Sequence, residues 1–332
     1  MFKKLILFVI FLAALMWGYQ HFSQPPTSIT KDIDWGLSFS RIFAVQMNLD
    51  WKEVYSTMLG DLRPKSLRLP VYWEDVEPKE GQYIFGDYDW MIKQAEEKNV
   101  KLILIVGRKL PRWPECHVPT WAATRSEEVQ RDKVLLLISE IVKRYKNSEN
   151  LYAWQVENEP FLAFGECPAT DAGFLDREIA LVKSLDNRHP VIVTDSGELS
   201  IWLRAAKRAD IFGTTMYRII YQKYLGYVEY PLPPKFFWLK ANLIRLFCHD
   251  KPIMVSELQL EPWGPKLLFE LPLDEQEKSM TINQFRKNIA YAKEVGFSPA
   301  YLWGAEWWYW MKTINNDDSY WKEAKKLLAD SQ

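Results

Sequence analysis

The chain of 332 residues has little cysteine and no excess of charge of either sign. Three cysteines are too few to build a disulfide scaffold. Its 42 basic and 43 acidic residues leave a net charge of −1, and no basic stripe indicates nucleic-acid binding. With 48% hydrophobic and 26% charged residues, the composition excludes an intrinsically disordered chain. It favours a folded protein with a large core that does not bind nucleic acid.

Aromatic residues, in contrast, are abundant: the chain has 16 Trp, 16 Tyr and 17 Phe. A hydrophobic core absorbs many of these side chains, because each buries a large apolar area. The number of tryptophans still suggests that some of them line a surface that holds flat, amphipathic ligands. Sugars are the commonest ligands of that kind, since their C–H faces stack on aromatic rings.

An apolar run from Leu5 to Gly18 follows Lys3 and Lys4 at the N-terminus. It is shorter than the ~20 residues of a bilayer span and has the length of a signal-peptide hydrophobic region. The two lysines before the run, with no further cation until Lys31, predict that the rest of the chain lies outside the cytoplasm. Because no small-residue cleavage motif follows, we expect residues 1–19 to be an uncleaved signal anchor, with a cleaved signal peptide and secretion as the alternative.

Residues 20–33, which include Pro25 and Pro26, are expected to tether this segment to a folded domain at 34–332. The tethered domain would then be held at the membrane through the N-terminal helix. The oligomeric state is left open by the sequence.

From residue 34 the chain alternates short apolar runs with amphipathic helical stretches. The runs lack the alternation of a half-buried strand, which is typical of parallel strands covered on both faces. Eight strands are predicted: Gly36–Ser40, Ser66–Val71, Lys101–Val106, Leu151–Val156, Pro190–Thr194, Ile211–Met216, Pro252–Ser256 and Ala300–Trp303. Helices are expected after Asp50, over 87–98, through Val134 to Tyr145, and near 171–186, 198–208, 235–247, 274–295 and 317–329. Capping boxes at Asp50-x-x-Glu53 and Asp274-x-x-Glu277 mark two of the helix starts.

Eight strand–helix units predict an α/β fold, a TIM (β/α)8 barrel that forms one domain after the N-terminal hydrophobic helix. The alternative is an open doubly wound sheet, which would need a glycine-rich phosphate-binding turn after its first strand. The segment Gly36–Ser40 is not such a turn. Since the active site of a TIM barrel lies at the carboxyl ends of its strands, the residues there are the ones to inspect.

Two of these strand ends carry glutamates. The fourth strand is followed by Asn158-Glu159-Pro160, and the seventh ends in Ser256-Glu257. A charged side chain at the end of a buried strand is costly unless it is paired or used. Glu159 and Glu257 are therefore candidate catalytic carboxylates, with ordinary surface ion pairs as the alternative.

With these two motifs the chain resembles the retaining glycoside hydrolases of clan A, over about residues 34–329. Arg68 on the second strand, Tyr217 after the sixth and Trp303 at the end of the eighth match further positions of the clan's pattern. The likeness extends to cellulase-, mannanase- and β-galactosidase-like members, and no single family is assigned. From the residues alone, Arg68, Tyr217 and Trp303 have a structural alternative as core or packing residues.

The resemblance implies double displacement at O-glycosidic, β-linked oligo- or polysaccharides without a cofactor. In this scheme Glu159 is the acid/base and Glu257 the nucleophile. Arg68 and Tyr217 hydrogen-bond the nucleophile, and Asn158 binds the hydroxyl next to the anomeric carbon. Trp303 would form the floor of the sugar site. Two alternatives stay open: a non-catalytic carbohydrate-binding or envelope protein on the same barrel, and a transglycosylase with the same residues.

Cys116 and Cys167 lie in the loops after the third and fourth strands, which are neighbours on one face of a barrel. They are expected to form a disulfide or to remain two free thiols; an extracytoplasmic compartment permits the bond. The spacing of Cys116, His117 and Cys167 matches no metal-ligand pattern, so no metal site is predicted. Cys248 is expected in the core.

The aromatic run Glu306–Trp310 follows the eighth strand. It is the best sequence candidate for a wall on which sugars stack, with Glu306 and Trp307 in contact with substrate. Part of the run would have to pack beneath it.

Other polar positions keep two interpretations each. Arg108, Arg112 and Trp113 either line a sugar subsite or, for the arginines, are solvated loop charges. Glu157 either pairs in the helix layer or binds substrate. The acids of Asp195–Glu198 serve as a helix cap or a substrate contact, and the long segment 218–234 is expected to be a lid or wall.

Overall fold

A computed structural model of the protein describes residues 32–168 and 170–330, and before them positions 8, 16, 18, 20, 22–26, 29 and 30. Eight parallel strands close into a barrel: β1 (Trp35–Ser38), β2 (Ser66–Pro70), β3 (Lys101–Val106), β4 (Leu151–Val156), β5 (Val191–Asp195), β6 (Ile211–Met216), β9 (Ile253–Gln259) and β10 (Ala300–Trp303). Around the barrel they follow one another in sequence order, and β1 pairs with β10 to close it. The predicted TIM barrel is confirmed.

Helices on the outside connect the strands: α1 (Arg41–Gln46), α2 (Trp51–Thr57), α3 (Trp73–Val76), α4 (Gly86–Glu97), α5 (Thr120–Ala123), α6 (Glu127–Tyr145), α7 (Ala172–Leu185), α8 (Leu203–Ala206), α9 (Pro234–Cys248), α10 (Leu273–Gln276), α11 (Ile282–Val295), α12 (Ala305–Ile314) and α13 (Ser319–Ala329). A π-helical turn (Met58–Leu62) and a 3-10 turn (Leu268–Glu270) add to them. Asp50 caps α2 as the sequence predicts, since its carboxylate accepts from the backbone N–H of Lys52 and Glu53.

Two predicted helices are shorter than expected. The segment 274–295 is split, because Thr281 caps α11 through a hydrogen bond from the N–H of Gln284 to its hydroxyl (3.1 Å). Asp274 lies inside α10 and does not start the long helix, so the second predicted capping box is wrong. The helix expected over 198–208 is reduced to α8.

The segment 218–234 contains structure that the sequence interpretation left out. Strands β7 (Ile219–Gln222) and β8 (Gly226–Glu229) form an antiparallel hairpin outside the barrel. Gly226 supplies a positive φ of 73° after the turn, a conformation that glycine adopts without strain. The connection after β6 is thus a β-hairpin.

The described part of 20–33 contacts the barrel. Asn242 on α9 donates hydrogen bonds to the carbonyl oxygens of Phe22 (2.8 Å) and Gln24 (2.9 Å), and the N–H of Thr30 donates to Gly296 O (2.9 Å). Most of the expected anchor at 1–19 lies outside the described residues, so that expectation stays a prediction. Within the described part of the chain, no helix combines the length and the apolar character that crossing a membrane requires.

The barrel interior is layered. A separate apolar cluster is contributed by six of its strands: Ile103, Ala153, Ile192, Ile211, Met254 and Tyr301. Toward the carboxyl ends of the strands, buried polar residues such as Arg68, Gln155 and Glu257 replace the apolar ones. The fold therefore places its buried charges at the end of the barrel where TIM-barrel enzymes carry their active sites.

Candidate active site

Glu257 lies on β9, buried at the carboxyl end of the barrel. Arg68 Nη1 donates to its Oε1 (2.9 Å), and the hydroxyl of Tyr217 donates to its Oε2 (2.9 Å). Burial, with the negative charge of Glu257 beside it, raises the pKa of Tyr217 well above 10, so the phenol stays protonated and serves as a donor. Both oxygens of the Glu257 carboxylate are thereby fixed in one orientation.

Arg68 links this carboxylate to the end of β4. It is fully buried, and besides Glu257 it donates from Nε to Gln155 Oε1 (2.7 Å) and from Nη2 to Asn158 Oδ1 (2.8 Å). The planar guanidinium thus aligns three acceptors at once, which a lysine would not do. Arg68 is the residue that orients both Glu257 and the Asn158 amide.

Glu159 is held by hydrogen bonds with the neighbouring strands β5 and β6. Its backbone N–H donates to Thr194 Oγ1 (2.9 Å), and Thr215 Oγ1 donates to its Oε1 (3.0 Å). Thr215 is the register partner of Glu257 in the β6–β9 ladder, so Glu159 is hydrogen-bonded to the immediate neighbour of Glu257. Burial raises the pKa of Glu159 well above 4.5, and the charges of Glu257 and Glu115 raise it further. The surroundings of Glu159 therefore favour its protonated form, while Glu257 is paired with a cation, the division of roles that acid–nucleophile catalysis needs.

The turn after β4 separates Glu159 from Glu157. Both have a positive φ, 43° and 58°, which costs a non-glycine residue ~1–3 kcal/mol and is found where a site requires it. The Glu157 carboxylate accepts from the backbone N–H of Arg108 (3.1 Å) and Lys109 (2.6 Å) and faces Glu178 of α7. Of the two interpretations of Glu157, pairing in the helix layer or binding of substrate, the structure therefore supports the first.

A cleft of about 510 Å³ opens above Glu257 and Tyr217. Three aromatic rings follow one another along it: Trp113 meets Phe164 with ring centroids 6.2 Å apart, and Phe164 meets Trp263 at 5.6 Å. Trp263 in turn packs edge-on against Tyr217 at 5.3 Å. These rings give the cleft the aromatic wall that the composition suggests.

The wall expected from Glu306–Trp310 is not there, which corrects the sequence interpretation. Trp307 is 1% exposed, packs on Tyr320 (centroids 4.5 Å apart) and donates to Gln276 Oε1 (2.8 Å). The physical reason is that the run forms α12, whose aromatic face is buried against neighbouring helices. It does not line the cleft.

Glu306 is also buried, and it pairs with an arginine and does not line the cleft. Arg112 donates from Nη2 to Glu306 Oε2 (2.9 Å) and forms a second ion pair with Glu261. Its guanidinium lies between the rings of Phe43 (3.6 Å) and Trp303 (4.0 Å). The prediction that Glu306 contacts substrate is therefore wrong. Trp303 does line the cleft, and Arg112 lies over its ring.

The structure also decides between the alternatives for the cysteines and for Arg108. Cys116 and Cys167 form a disulfide, and Cys248 is a buried free thiol. Arg108 pairs with Glu127 on α6 and does not line the cleft. Between residues 32 and 330, as far as they are described, no group of three His, Cys, Asp or Glu side chains is arranged to hold a metal ion.

Sequence reasoning missed two residues of the site. Thr215, inside β6, has no motif, and only the barrel register shows that it lies beside Glu257. Glu115 precedes a disulfide cysteine in the loop after β3, and its carboxyl reaches Asn158, whose Nδ2 donates to Glu115 Oε2 (3.3 Å). The cysteine beside it was the one available signal that this loop is held in place.

Fold and site together define a (β/α)8 barrel of the glycoside hydrolase type, with glutamates at the ends of the fourth and seventh barrel strands. The resemblance to clan A is confirmed by the comparisons with known proteins. The family model described as "Glycosyl hydrolase family 10" matches residues 70–171. Over 120 residues the chain is 28% identical to a probable mannan endo-1,4-β-mannosidase F from Aspergillus flavus. The aligned stretch covers 33% of this chain and 25% of that protein. The chain thus spans about a quarter of the length of the curated relatives that it matches.

Solved structures show the same barrel. A β-galactosidase from Rahnella sp. R3 superposes with a TM-score of 0.60 at 14% identity, over 90% of this chain and 56% of that one. Xylanase 10B from Thermotoga maritima superposes with a TM-score of 0.57 at 15% identity, over 90% of this chain and 96% of that one. At these identities the likeness establishes the fold.

Proposed function

We propose that the protein is a retaining glycoside hydrolase that cleaves β-linked oligo- or polysaccharides by double displacement. The observation that carries the proposal is the asymmetry of the two carboxyl groups. Glu257 is held by Arg68 and Tyr217, while the pKa of Glu159 is raised by burial and by the Glu257 charge. The match to glycosyl hydrolase family 10 and the likeness to a probable mannanase support the same class of reaction.

In the first step a Glu257 oxygen attacks the anomeric carbon as the bond to the leaving oxygen breaks. Glu159 donates its proton to that oxygen, so the leaving group departs neutral. Asn158, oriented by Arg68, binds the substituent on the adjacent carbon, a contact that tightens as positive charge develops on the sugar.

In the second step water attacks the anomeric carbon, and Glu159 takes its proton while the Glu257–sugar bond breaks. Formation of that bond removes the negative charge that raised the pKa of Glu159. The pKa of Glu159 therefore falls when the ionised carboxylate is needed as a base. One residue thus acts as acid and then as base without moving.

The proposed place of action is outside the cytoplasm, with the N-terminal segment as membrane anchor or export signal. The Cys116–Cys167 disulfide supports this compartment, because such bonds persist in oxidising surroundings.

The test is the variant Glu257→Ala, assayed on aryl β-glycosides and on β-linked polysaccharides. We expect turnover to fall by ~10³-fold or more, since no nucleophile remains. Sodium azide should partly restore turnover by attacking from the vacated side, which yields a glycosyl azide of inverted anomeric configuration. The thermal unfolding midpoint serves as the control for folding. Wild-type activity in this variant, or release of an inverted sugar by the wild-type enzyme, would overturn the proposal.

A further inference from the structure

A third carboxyl group, that of Glu115, lies beside the two proposed catalytic glutamates, and the double displacement does not use it. Glu115 is 8% exposed and lines the cleft together with Glu257. Its Oε2 accepts a hydrogen bond from Asn158 Nδ2 (3.3 Å). The other end of the same amide, Oδ1, accepts from Arg68. Asn158 is therefore held between the arginine that orients the nucleophile and the third carboxyl.

The backbone around Glu115 is fixed by contacts inside its own loop. Its φ is 66°, in the left-handed region that a glutamate seldom occupies. Its carbonyl oxygen accepts from the N–H of Leu110 (2.9 Å), and its own N–H donates to Arg112 O (2.6 Å). A strained conformation of this kind persists only where the surroundings impose it.

The neighbouring loop after β4 clamps the same position. The N–H of Glu166 donates to Pro114 O (3.0 Å), and the disulfide joins Cys116 to Cys167. A Cβ on Gly165 would come within 2.5 Å of the Glu115 Cβ, so only glycine permits this approach. Three independent contacts thus aim one acidic side chain into the cleft.

The position of Glu115 indicates what it meets. A sugar whose anomeric carbon faces Glu257 places its next carbon at Asn158, under the proposed function. The Glu115 carboxyl is hydrogen-bonded to that amide, so it lies on the same side of the sugar. Glu257, Glu261 and Glu270 also line the cleft, against the cations Arg112 and Lys266, so an anionic substituent between Glu115 and Glu257 would be repelled by the nearer carboxylates.

We propose that Glu115 is a substrate-binding residue that, with Asn158, selects sugars bearing a hydrogen-bond-donating group, a hydroxyl or an ammonium, on the carbon next to the anomeric centre. This inference rests on the proposed function. It names a specificity-determining residue of that site and excludes sugars that carry an acidic group at this carbon.

The protonation of Glu115 fits either donor. Burial and the charge of Glu257 raise the pKa of Glu115 to about 8, so at neutral pH the group is mostly protonated. A neutral carboxyl exchanges hydrogen bonds with a hydroxyl, whereas an arriving ammonium would displace the proton and form an ion pair.

The experiment compares 4-nitrophenyl β-glycosides that differ only at this carbon: hydroxyl, amine, or hydrogen (the 2-deoxy sugar). The glucoside, galactoside, mannoside and xyloside series are screened, and kcat/KM is measured for the wild type and Glu115→Ala. We expect Glu115→Ala to lower kcat/KM ~10–100-fold for the substrate with the preferred donor and less than about threefold for the 2-deoxy sugar. An equal loss on all three substrates, or no loss on any, would overturn the inference.

The variant Glu115→Gln distinguishes the two donors. It keeps an acceptor oxygen but cannot ionise, so it should retain most activity on the hydroxyl substrate and lose ~10-fold or more on the amine. Glu128→Gln is the control, because it removes an exposed carboxylate from α6, away from the clamping loop, and should leave all three values unchanged. If the wild type cleaves neither the aryl glycosides of the series nor any β-linked polysaccharide, the proposed function itself fails. If the wild type is active and Glu115→Ala shows the same ratios of kcat/KM among the three substrates, only the proposed role of Glu115 fails.

Discussion

Two pairs of buried carboxyl groups lie on opposite sides of the turn after β4, and their surroundings differ. Glu257 lines the cleft and is held by Arg68, while burial raises the pKa of Glu159 well above its usual range. Glu157 and Glu178 face each other behind the sheet, and burial raises the pKa of both. Among the described residues no ordinary donor reaches the Glu178 carboxyl, and its side chain hydrogen-bonds that of Glu157, so a proton shared between the two carboxyls satisfies both.

The comparison shows that burial alone does not make a catalytic pair. The pair behind the sheet has raised pKa values on both members, and it has no opening to substrate. At the cleft an arginine holds one member, while burial raises the pKa of the other, and this difference is what permits acid and nucleophile to coexist. Perturbed acids thus mark a candidate site only where access and unequal environments accompany them.

The largest effect should separate the two glutamates of the β4 turn. Glu159→Gln removes the acid, and we expect kcat to fall ~10²–10⁴-fold on substrates with poor leaving groups. The loss should be much smaller on 2,4-dinitrophenyl glycosides, whose leaving group departs without a proton. Glu157→Gln, two residues away, should change kcat by less than about threefold, because its carboxyl faces the helix layer. Equal losses in the two variants would erase the distinction between the pairs.

A smaller effect should come from Arg68, which forms an ion pair with Glu257. Arg68→Met leaves Glu257, Gln155 and Asn158 without their donor, and removing one partner of a buried ion pair costs ~3–5 kcal/mol. Denaturant unfolding should show this decrease in the free energy of unfolding, together with a loss of kcat.

Arg177→Met is the control for Arg68→Met. Arg177 pairs with Asp132, and their side chains are 56% and 66% exposed, so solvent screens the interaction and the loss should be ~1 kcal/mol or less. A decrease as large as that of Arg68→Met would show that the arginine of the cleft has no special role in stability.

The sequence predicted what depends on strand order and residue type at strand ends. Glu159 and Glu257 were found because parallel strands bring their carboxyl ends to one edge, wherever the loops go. Arg68 and Tyr217 were found through the resemblance to clan A, and the structure brings all four together.

What the sequence did not predict depends on how loops and helices pack. Glu115 enters the site only through a loop turn and a glycine contact, neither of which has a local pattern, and the disulfide that the sequence did suggest does not say which side chain it places in the site. Trp307 was misplaced because an aromatic run has the same composition whether it faces sugar or core; α12 turns it inward. Thr281, in place of Asp274, caps α11, because several polar residues near a helix start satisfy the same capping rule.

The smallest effect concerns the pair behind the sheet. Since burial raises the pKa of Glu178 and Glu157 in the folded state, the unfolded chain releases their protons first as pH rises above about 4.5. Stability from these groups is thus greatest at low pH and declines toward higher pH. Glu178→Gln should therefore leave the free energy of unfolding nearly unchanged at pH 4.5 and raise it by ~1 kcal/mol at pH 8, because an amide N–H then bonds Glu157 without a proton. Denaturant unfolding at both pH values, with the exposed Glu149→Gln as control, checks this. A gain that is the same at the two pH values would mean that the pair shares no proton, and the contrast with the cleft would then rest on access alone.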